Sequence, residues 1–331
     1  MRPSPPSAHS TCTGGTRPPP TRGRPSATPT SSRASRSWET RAALDGPLPL
    51  VVFSHGNGGL AEQSYFLTEF LASHGFVVVA PDHTGNTYDD DSQPFYRLLE
   101  LRPQDIGAVL DHADALPADH LLGGHLGPER GMAGHSFGGY TSLALAGAGF
   151  DLAGIDAGCA VPPASDSADC AYLTEPAVQA RLGAAFRDAR LQAAIPLTPG
   201  IAPFFGGDPG LAGVQIPTLM MTAGRDATLP NATQGDLLWA GIVQPDSLRL
   251  DFLNAGHFTF SDACTIAPAA VMNDGCGPDF LDNTVAHRLI NAYALAFLRL
   301  YLLGEADDFG LLDGSVRIDD GELVISTVDA P

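Results

Sequence analysis

The sequence predicts an α/β fold with a mostly parallel central sheet and helices on both faces of that sheet. Apolar runs at residues 49–54, 216–224 and 248–253 have the length of buried strands, and each leads into a loop of glycine or polar residues. Longer stretches at residues 60–74 and 279–303 have the pattern of helices. Strands that alternate with helices in this way favour a parallel sheet.

Residues 1–45 are expected to be a disordered segment outside the folded domain. They are rich in Pro, Ser, Thr and Arg and contain almost no aliphatic run, so they bury too little surface to offset the entropy of ordering. They also lack the apolar stretch of about 7–15 residues that marks a secretory signal. One hypothesis is that a misassigned start or a shifted reading frame has replaced one or two strands of the domain here.

The first apolar run enters a glycine-rich loop. Residues 49–54 are followed by His55-Gly56-Asn57-Gly58-Gly59, and such glycines let the backbone approach a bound ligand closely. A backbone N–H in this loop could therefore bind a developing negative charge. Asn57 is the first candidate for this donor and Gly58 is the second, whereas the alternative is a plain turn.

Residues 134–139 read Gly-His-Ser-Phe-Gly-Gly and match the pattern G-x-S-x-G between a short strand and a helix. A serine on so sharp a turn has a strained backbone, and its hydroxyl stands exposed above the sheet. Ser136 is therefore the candidate nucleophile, and the backbone N–H of Phe137 is the other candidate donor to an oxyanion. The alternative is an ordinary glycine-rich helix start.

A reactive serine needs a base and an acid that orients the base. In the α/β-hydrolases, whose nucleophile turn the G-x-S-x-G pattern resembles, an Asp or Glu and then a His follow the serine in the chain. Asp226 lies just after the run at 216–224, and His257 lies just after the run at 248–253. Because the carboxyl ends of parallel strands share one edge, both side chains are expected near Ser136.

Other residues fit these roles less well. His287 lies inside the predicted helix at 279–303, and His135 precedes the serine and is expected to support the turn. Asp251 lies within a strand, where an outward-facing polar side chain needs no further explanation.

An insertion of about residues 149–189 follows the helix after Ser136 and contains a helical patch at 172–187. The next strand, at 191–197, leads into a loop that contains Phe204 and Phe205. These two aromatic residues are candidates for the wall of a substrate pocket, although aromatic residues more often belong to the core.

Composition limits the classes of partner. The chain has 331 residues, is 44% hydrophobic and carries a net charge of −19, which disfavours nucleic acid and anionic membranes as partners. It contains no uncharged apolar stretch of about 18 residues, so no membrane span is expected. No cofactor and no metal site are predicted, because no cluster has the spacing of metal ligands.

Four of the five cysteines lie in the predicted domain: Cys159, Cys170, Cys264 and Cys276. Their spacing suggests two short loops, Cys159–Cys170 and Cys264–Cys276, although four cysteines permit three pairings. Disulfides would favour an exported protein, periplasmic or extracellular, whereas free thiols would fit a cytoplasmic one.

The segment at 304–331 is acidic and is expected to be a tail beyond the domain at 46–303. Residues 315–326 alternate between apolar and polar around Asp319-Asp320-Gly321, which predicts a weak hairpin.

Four phrases carry a resemblance to a known family: Val51–Gly56, Val78–His83, Gly134–Gly139 and Ala255–Phe258. They resemble bacterial proteins labelled predicted dienelactone hydrolases, a group that looks like the platelet-activating-factor acetylhydrolases. The resemblance covers about residues 46–303 and implies an α/β-hydrolase fold in which the insertion forms a cap over the pocket. True dienelactone hydrolases use a cysteine as nucleophile, so lactone opening is not the first expectation for a chain with a serine there.

The resemblance and the residues together lead to one expectation. We expect a serine esterase that uses Ser136, His257 and Asp226 to hydrolyse carboxylic esters with short-to-medium acyl groups through an acyl-enzyme. One alternative is a polyester hydrolase of the cutinase type, although those enzymes usually carry Met at the position of Phe137. The other alternative is a binding protein that has kept the fold without catalysis. The sequence does not predict an oligomeric state.

Overall fold

The computed structural model describes residues 46–164, 167–206 and 208–328. The prediction of disorder for residues 1–45 lies outside the described residues. Within them, the chain forms one seven-stranded sheet in the order β2-β1-β3-β4-β5-β6-β7. All neighbouring strands are parallel except β7, which is antiparallel to β6. The strands are β1 Leu48–Ser54, β2 Val77–Val79, β3 Leu126–His135, β4 Ala193–Leu197, β5 Leu219–Ala223, β6 Leu248–Phe252 and β7 Leu323–Thr327.

Helices connect the strands. In chain order they are α1 Tyr65–Ser73, α2 Phe95–Asp114, α3 Phe137–Ala146, α4 Leu152–Cys159, α5 Ala168–Leu173, α6 Pro176–Gly183, α7 Ala202–Phe205, α8 Asp208–Leu211, α9 Gly235–Gly241, α10 Ala263–Ile266, α11 Pro268–Val271 and α12 Asn283–Leu303, with 3₁₀ turns at Asn231–Thr233 and His257–Phe260. None of these helices is long and apolar enough to cross a membrane.

Both faces of the sheet are covered, which explains why its strands are apolar without interruption. In β1, Leu50 and Val52 face the core formed with α2 and α3, whereas Val51 and Phe53 face the core formed with α1 and α12. All four side chains are buried. Because side chains alternate between the two faces of a strand, only a sheet that is covered on both sides buries every residue. The predicted α/β class is confirmed.

The insertion after α3 contains α4, α5 and α6. The helical patch predicted at residues 172–187 is interrupted, because Pro176 begins α6 and has no backbone N–H with which to continue a preceding helix. A disulfide between Cys159 and Cys170 joins α4 to α5. The second disulfide joins Cys264 in α10 to Cys276 beyond α11. These are the two pairings that the cysteine spacing suggested.

The C-terminal segment corrects a prediction. Residues 315–318 are not in a strand, so the hairpin predicted over 315–326 is wrong, and residues 323–327 instead form β7 against β6. The open edge of β6 offers a full ladder of backbone partners, and pairing there buries Leu323 to 3% exposure. The central sheet therefore extends into the segment that was expected to be a tail.

Two substitutions in β7 test this pairing. Leu323 is 3% exposed, whereas its neighbour Val324 faces away from the core and is 47% exposed. We expect Leu323→Ala to lower the free energy of unfolding by about 2–5 kcal/mol, because it leaves a cavity in the core. Val324→Ala should change it by less than about 0.5 kcal/mol. Urea unfolding followed by circular dichroism measures both, and equal effects would contradict the pairing of β7 with the sheet.

Candidate active site

Ser136 lies on a sharp turn between β3 and α3. Its backbone has φ 58° and ψ −115°, a strained conformation for a residue other than glycine. The turn requires two glycines. A Cβ on Gly138 would lie 1.8 Å from the carbonyl oxygen of Ser54, and a Cβ on Gly134 would lie 2.3 Å from the carbonyl oxygen of Gly138. The backbone N–H of Ser136 donates to the carbonyl of Leu197 at 2.8 Å. The G-x-S-x-G spacing thus reflects the close approach of α3 to β1.

Asp226 and His257 form a buried hydrogen-bonded pair. Asp226 follows β5, His257 follows β6, and the Nδ1 atom of His257 lies 2.8 Å from Oδ2 of Asp226. Their side chains are 1% and 2% exposed, respectively. The other oxygen of Asp226 accepts the backbone N–H of Leu229 at 2.5 Å. With Asp226 ionised and the imidazole neutral, the ring proton lies on Nδ1 and Nε2 keeps its lone pair. The pair therefore has the arrangement of an oriented base.

Ser136 lies beside this pair, since its neighbour His135 contacts His257. Nε2 of His135 lies 2.9 Å from the carbonyl oxygen of His257, and the two imidazole rings are 4.7 Å apart. In the part of the chain that the structure describes, the Ser136 hydroxyl makes no hydrogen bond. The structure thus brings the three predicted residues to one edge of the sheet and joins two of them. Serine–histidine bonds are commonly long in the absence of substrate.

His135, which the sequence analysis expected to support the turn, makes two hydrogen bonds to neighbouring loops. Its Nδ1 lies 2.7 Å from Nε2 of Gln63, and Oε1 of Gln63 accepts the backbone N–H of Gly56 at 2.9 Å. Burial and the neighbouring His257 hold the pKa of His135 well below its ordinary value, so it is neutral at pH 7. A neutral His135 accepts from Gln63 and donates to the carbonyl of His257, which ties the loop after β1 to the loop after β6.

The loop after β1 lies next to the serine. A Cβ on Gly56 would lie 3.4 Å from Cβ of Ser136. Within the described residues, the backbone N–H groups of Asn57 and Gly58 donate to no other group. The N–H of Phe137 begins α3 and has no acceptor in its own helix, where the helix dipole also favours negative charge. The N–H of Asn57 or Gly58, together with that of Phe137, can therefore bind an oxyanion.

A second chain of serine, histidine and aspartate lies beneath this loop. Oγ of Ser54 is 2.8 Å from Nε2 of His83, and Nδ1 of His83 is 2.8 Å from Oδ2 of Asp105. Ser54 and His83 are fully buried, whereas Ser136 is partly exposed. A substrate therefore has access to Ser136 and not to Ser54. The sequence analysis did not identify this chain, because Asp105 lies on α2, a helix it did not predict.

Asp274 is a further residue that the sequence analysis missed. Its Oδ1 accepts the backbone N–H of His257 at 2.9 Å and that of Ala227 at 3.1 Å, and its Oδ2 accepts the N–H and the hydroxyl of Thr228 at 2.8 and 2.6 Å. Burial alone would raise the pKa of Asp274, but these hydrogen bonds lower it below its ordinary value. One carboxylate thus joins the loop of Asp226 to the loop of His257. The only signal in the sequence was its place two residues before Cys276.

The structure corrects one of the two aromatic candidates for the substrate pocket. Phe205 is fully buried in the core, where its ring lies 5.5 Å from that of Tyr140, so it cannot line an open pocket. Phe204 lines a cavity of about 310 Å³ within the insertion. Phe95 is an exposed aromatic residue beside the turn: it is 45% exposed, and its ring stacks on that of Phe137 with the ring centres 5.0 Å apart.

The residues that compete for the catalytic roles have other partners. His287 lies 3.1 Å from the carbonyl oxygen of Thr259 and stacks on Phe66, and Asp251 accepts from Thr222 and Asn231. In the described ranges, no group of three or more His, Cys, Asp or Glu side chains is placed to hold a metal ion.

Comparisons with known proteins agree with this architecture. The family model described as platelet-activating factor acetylhydrolase, isoform II, matches residues 26–90. This match confirms the resemblance for the stretch that contains β1 and its loop. A ferulic acid esterase from Streptomyces cinnamoneus is similar in structure, with 23% identity, a TM-score of 0.58 and coverage of 85% of this chain and 74% of that one. No curated protein sequence matches the chain. The chain therefore has the α/β-hydrolase fold.

Proposed function

We propose that the protein is a serine hydrolase that cleaves carboxylic esters through an acyl-enzyme. The observation that carries this proposal is the buried Asp226–His257 pair beside the strained turn of Ser136, at one edge of a parallel sheet. The names of both matches support the same class, since one is an acetylhydrolase and the other an esterase.

The base acts through Nε2 of His257, because Nδ1 is bonded to Asp226. As the Ser136 oxygen attacks the ester carbonyl carbon, its proton passes to Nε2, and the ionised Asp226 stabilises the imidazolium that forms. The imidazolium then gives the proton to the leaving alcohol, which departs and leaves an acyl group on Ser136. A water molecule, deprotonated by the same nitrogen, releases the acid and regenerates the serine.

The tetrahedral intermediate carries its negative charge on the former carbonyl oxygen. We assign its binding to the backbone N–H of Phe137 and to that of Asn57, with Gly58 as the alternative to Asn57. Loss of one such donor typically raises the barrier by about 2.7–4 kcal/mol. The N-terminus of α3 adds the positive end of a helix dipole on the same side.

For the substrate we propose esters with short-to-medium acyl groups. The exposed ring of Phe95, stacked on Phe137, offers an apolar surface beside the proposed oxyanion site. Phe204 lines the cavity of the insertion, and we propose that it contacts the longer acyl groups. A polyester chain is the alternative substrate, and Phe137 stands where polyester hydrolases usually carry Met. The two disulfides support export to an oxidising compartment.

Replacement of the nucleophile tests the proposal. We expect Ser136→Ala to reduce hydrolysis of p-nitrophenyl acetate by at least about 10⁴-fold, because attack and proton transfer both need the hydroxyl. Thermal unfolding should stay nearly unchanged, since the hydroxyl has no hydrogen-bond partner among the described residues. The matched control is Ser142→Ala on α3, the helix that follows Ser136. Among the described residues, the hydroxyl of Ser142 bonds only to the carbonyl of Gly138. Full activity of Ser136→Ala would reject the assignment, and an inactive wild-type protein would favour the binding-protein alternative.

Substitution of Asp274 tests how the base is held. We expect Asp274→Asn to lower kcat by up to about 10²-fold with little change in KM, because the amide places a donor against the N–H of Thr228 and loosens both loops. Asp262→Asn is the control. Asp262 is buried in the same segment, and its carboxylate accepts the N–H of Phe66. Among the described residues, that carboxylate bonds neither to the backbone of His257 nor to the loop of Asp226.

Steady-state kinetics and thermal unfolding of both variants separate a role in positioning from a role in stability. Asp262→Asn should lower stability and leave kcat within about threefold of the wild-type value. If the two variants lost kcat to the same extent, the proposed role of Asp274 would be wrong.

A further inference from the structure

Arg102 is a fully buried cation beneath the loop after β1. It lies on α2, and its two terminal nitrogens donate to four groups. Nη1 donates to Oδ1 of Asn86 at 2.5 Å and to the carbonyl of Gly56 at 3.3 Å. Nη2 donates to the hydroxyl of Ser54 at 3.1 Å and to the carbonyl of His55. The guanidinium therefore binds two successive carbonyl groups of the loop that precedes Asn57.

This cation has no direct counter-ion in the described part of the chain, where no carboxylate lies within ion-pair distance of it. Asp105 instead binds His83. Burial, reinforced by the charge of Arg102, lowers the pKa of His55 to about 3 and that of His83 to about 2, so both rings are neutral at pH 7. Burial lowers the pKa of Arg102 to about 9, which still leaves it protonated. A buried charge that no direct ion pair neutralises is costly and is rarely retained without a use.

Arg102 contacts both halves of the proposed oxyanion site. The carbonyl of Gly56 and the N–H of Asn57 belong to one planar peptide unit. Nδ1 of His55 at 2.7 Å and the N–H of Gly59 at 3.2 Å also bind this carbonyl, and Arg102 is the charged donor among the three. Together these donors fix the direction of the Asn57 N–H, and the charge of Arg102 strengthens its dipole. On the other side, the guanidinium carbon lies 4.7 Å from the centre of the Phe137 ring. Asn86 links Arg102 to the side chain of Asn57: its Oδ1 accepts from Arg102, and its Nδ2 donates to Oδ1 of Asn57 at 2.9 Å.

We propose that Arg102 positions the oxyanion site and supplies the positive charge that balances the oxyanion in the transition state. This inference rests on the proposed ester hydrolysis. The positive charge of Arg102 acts on the carbonyl oxygen of the substrate, which is neutral in the bound ester and negative in the tetrahedral intermediate. Such a charge stabilises the transition state more than the bound substrate, so it raises kcat and leaves KM nearly unchanged. Arg102 is a positioning residue, because it reaches the oxyanion through the peptide of Gly56 and Asn57.

The test compares Arg102→Gln, which removes the charge, with Arg102→Lys, which keeps the charge but loses the planar fork. The readouts are the kinetics of p-nitrophenyl acetate hydrolysis and the inhibition constant of phenylboronic acid, which forms an anionic tetrahedral adduct with a reactive serine. We expect kcat/KM of Arg102→Gln to fall about 10–100-fold and its boronate affinity to fall by a similar factor, with KM within about threefold. Arg102→Lys should lose less in both quantities.

Arg130→Gln is the matched control. Arg130 is also buried, but it binds Asp114 and the carbonyl of Gly127 at the opposite end of β3 from Ser136. Its loss should lower the melting temperature without changing kcat/KM per folded molecule.

A folded Arg102→Gln variant that kept either kcat/KM or boronate affinity within twofold would overturn the proposal, as would a Lys variant that lost as much as the Gln variant. If Arg102→Gln does not fold, Arg102→Lys decides alone: a fall of about 3–10-fold in both quantities supports the proposal and no change overturns it. Failure of the proposed function is seen separately, because the wild-type protein would then neither hydrolyse the ester nor bind the boronate.

Discussion

The close approach of α3 to β1 is the contact on which the candidate site depends. Because a Cβ at Gly138 would lie 1.8 Å from the carbonyl oxygen of Ser54, only glycine lets the first turn of α3 pack against the end of β1. This packing holds Ser136 in its strained conformation and places it against Gly56. The same residue of β1, Ser54, is bound by His83 and Arg102. The turn, the loop after β1 and helix α2 therefore form one connected unit.

A second set of contacts fastens the base to this unit. Neutral His135 connects the carbonyl of His257 to Gln63 and so to Gly56. Asp274 holds the backbone of His257 from the other side and joins it to the loop after β5. Preorganisation of this kind supports catalysis, because groups that are already in place need not reorganise during the reaction. In the proposed function, the charges at the site are those of Asp226, Asp274 and Arg102, while the surrounding histidines are neutral.

Much of the fold could be predicted from the sequence, because its signals are local. Apolar runs predicted β1, β5 and β6, and the G-x-S-x-G motif predicted that Ser136 lies between a strand and a helix. The order of strands then placed Asp226 and His257 at the same edge as the serine, where the structure has them. The prediction that Phe205 lines the substrate pocket was wrong. Phe204 and Phe205 are adjacent aromatic residues that the sequence alone cannot tell apart, but Phe205 is buried in the core.

Contacts that depend on tertiary structure could not be predicted. Arg102 lies on a helix that contains Pro103, and nothing in the local sequence shows that its side chain reaches the loop after β1 from 46 residues away. In the sequence, Asp274 is one more acidic residue in an acidic chain, and only the fold brings the loops of Asp226 and His257 around it. Strand β7 was missed because the weak alternation at 315–326 fits a hairpin as well as it fits one strand that adds to a distant edge.

The most direct measurement of the central claim is labelling of the folded protein with a fluorophosphonate, followed by mass spectrometry of its peptides. The reagent reacts with a serine that has an oriented base and an accessible hydroxyl. The account predicts a single label on Ser136 that is lost when the protein is denatured before the reaction, and no label on the buried Ser54. A label on Ser54, or no label on the folded protein, would contradict it.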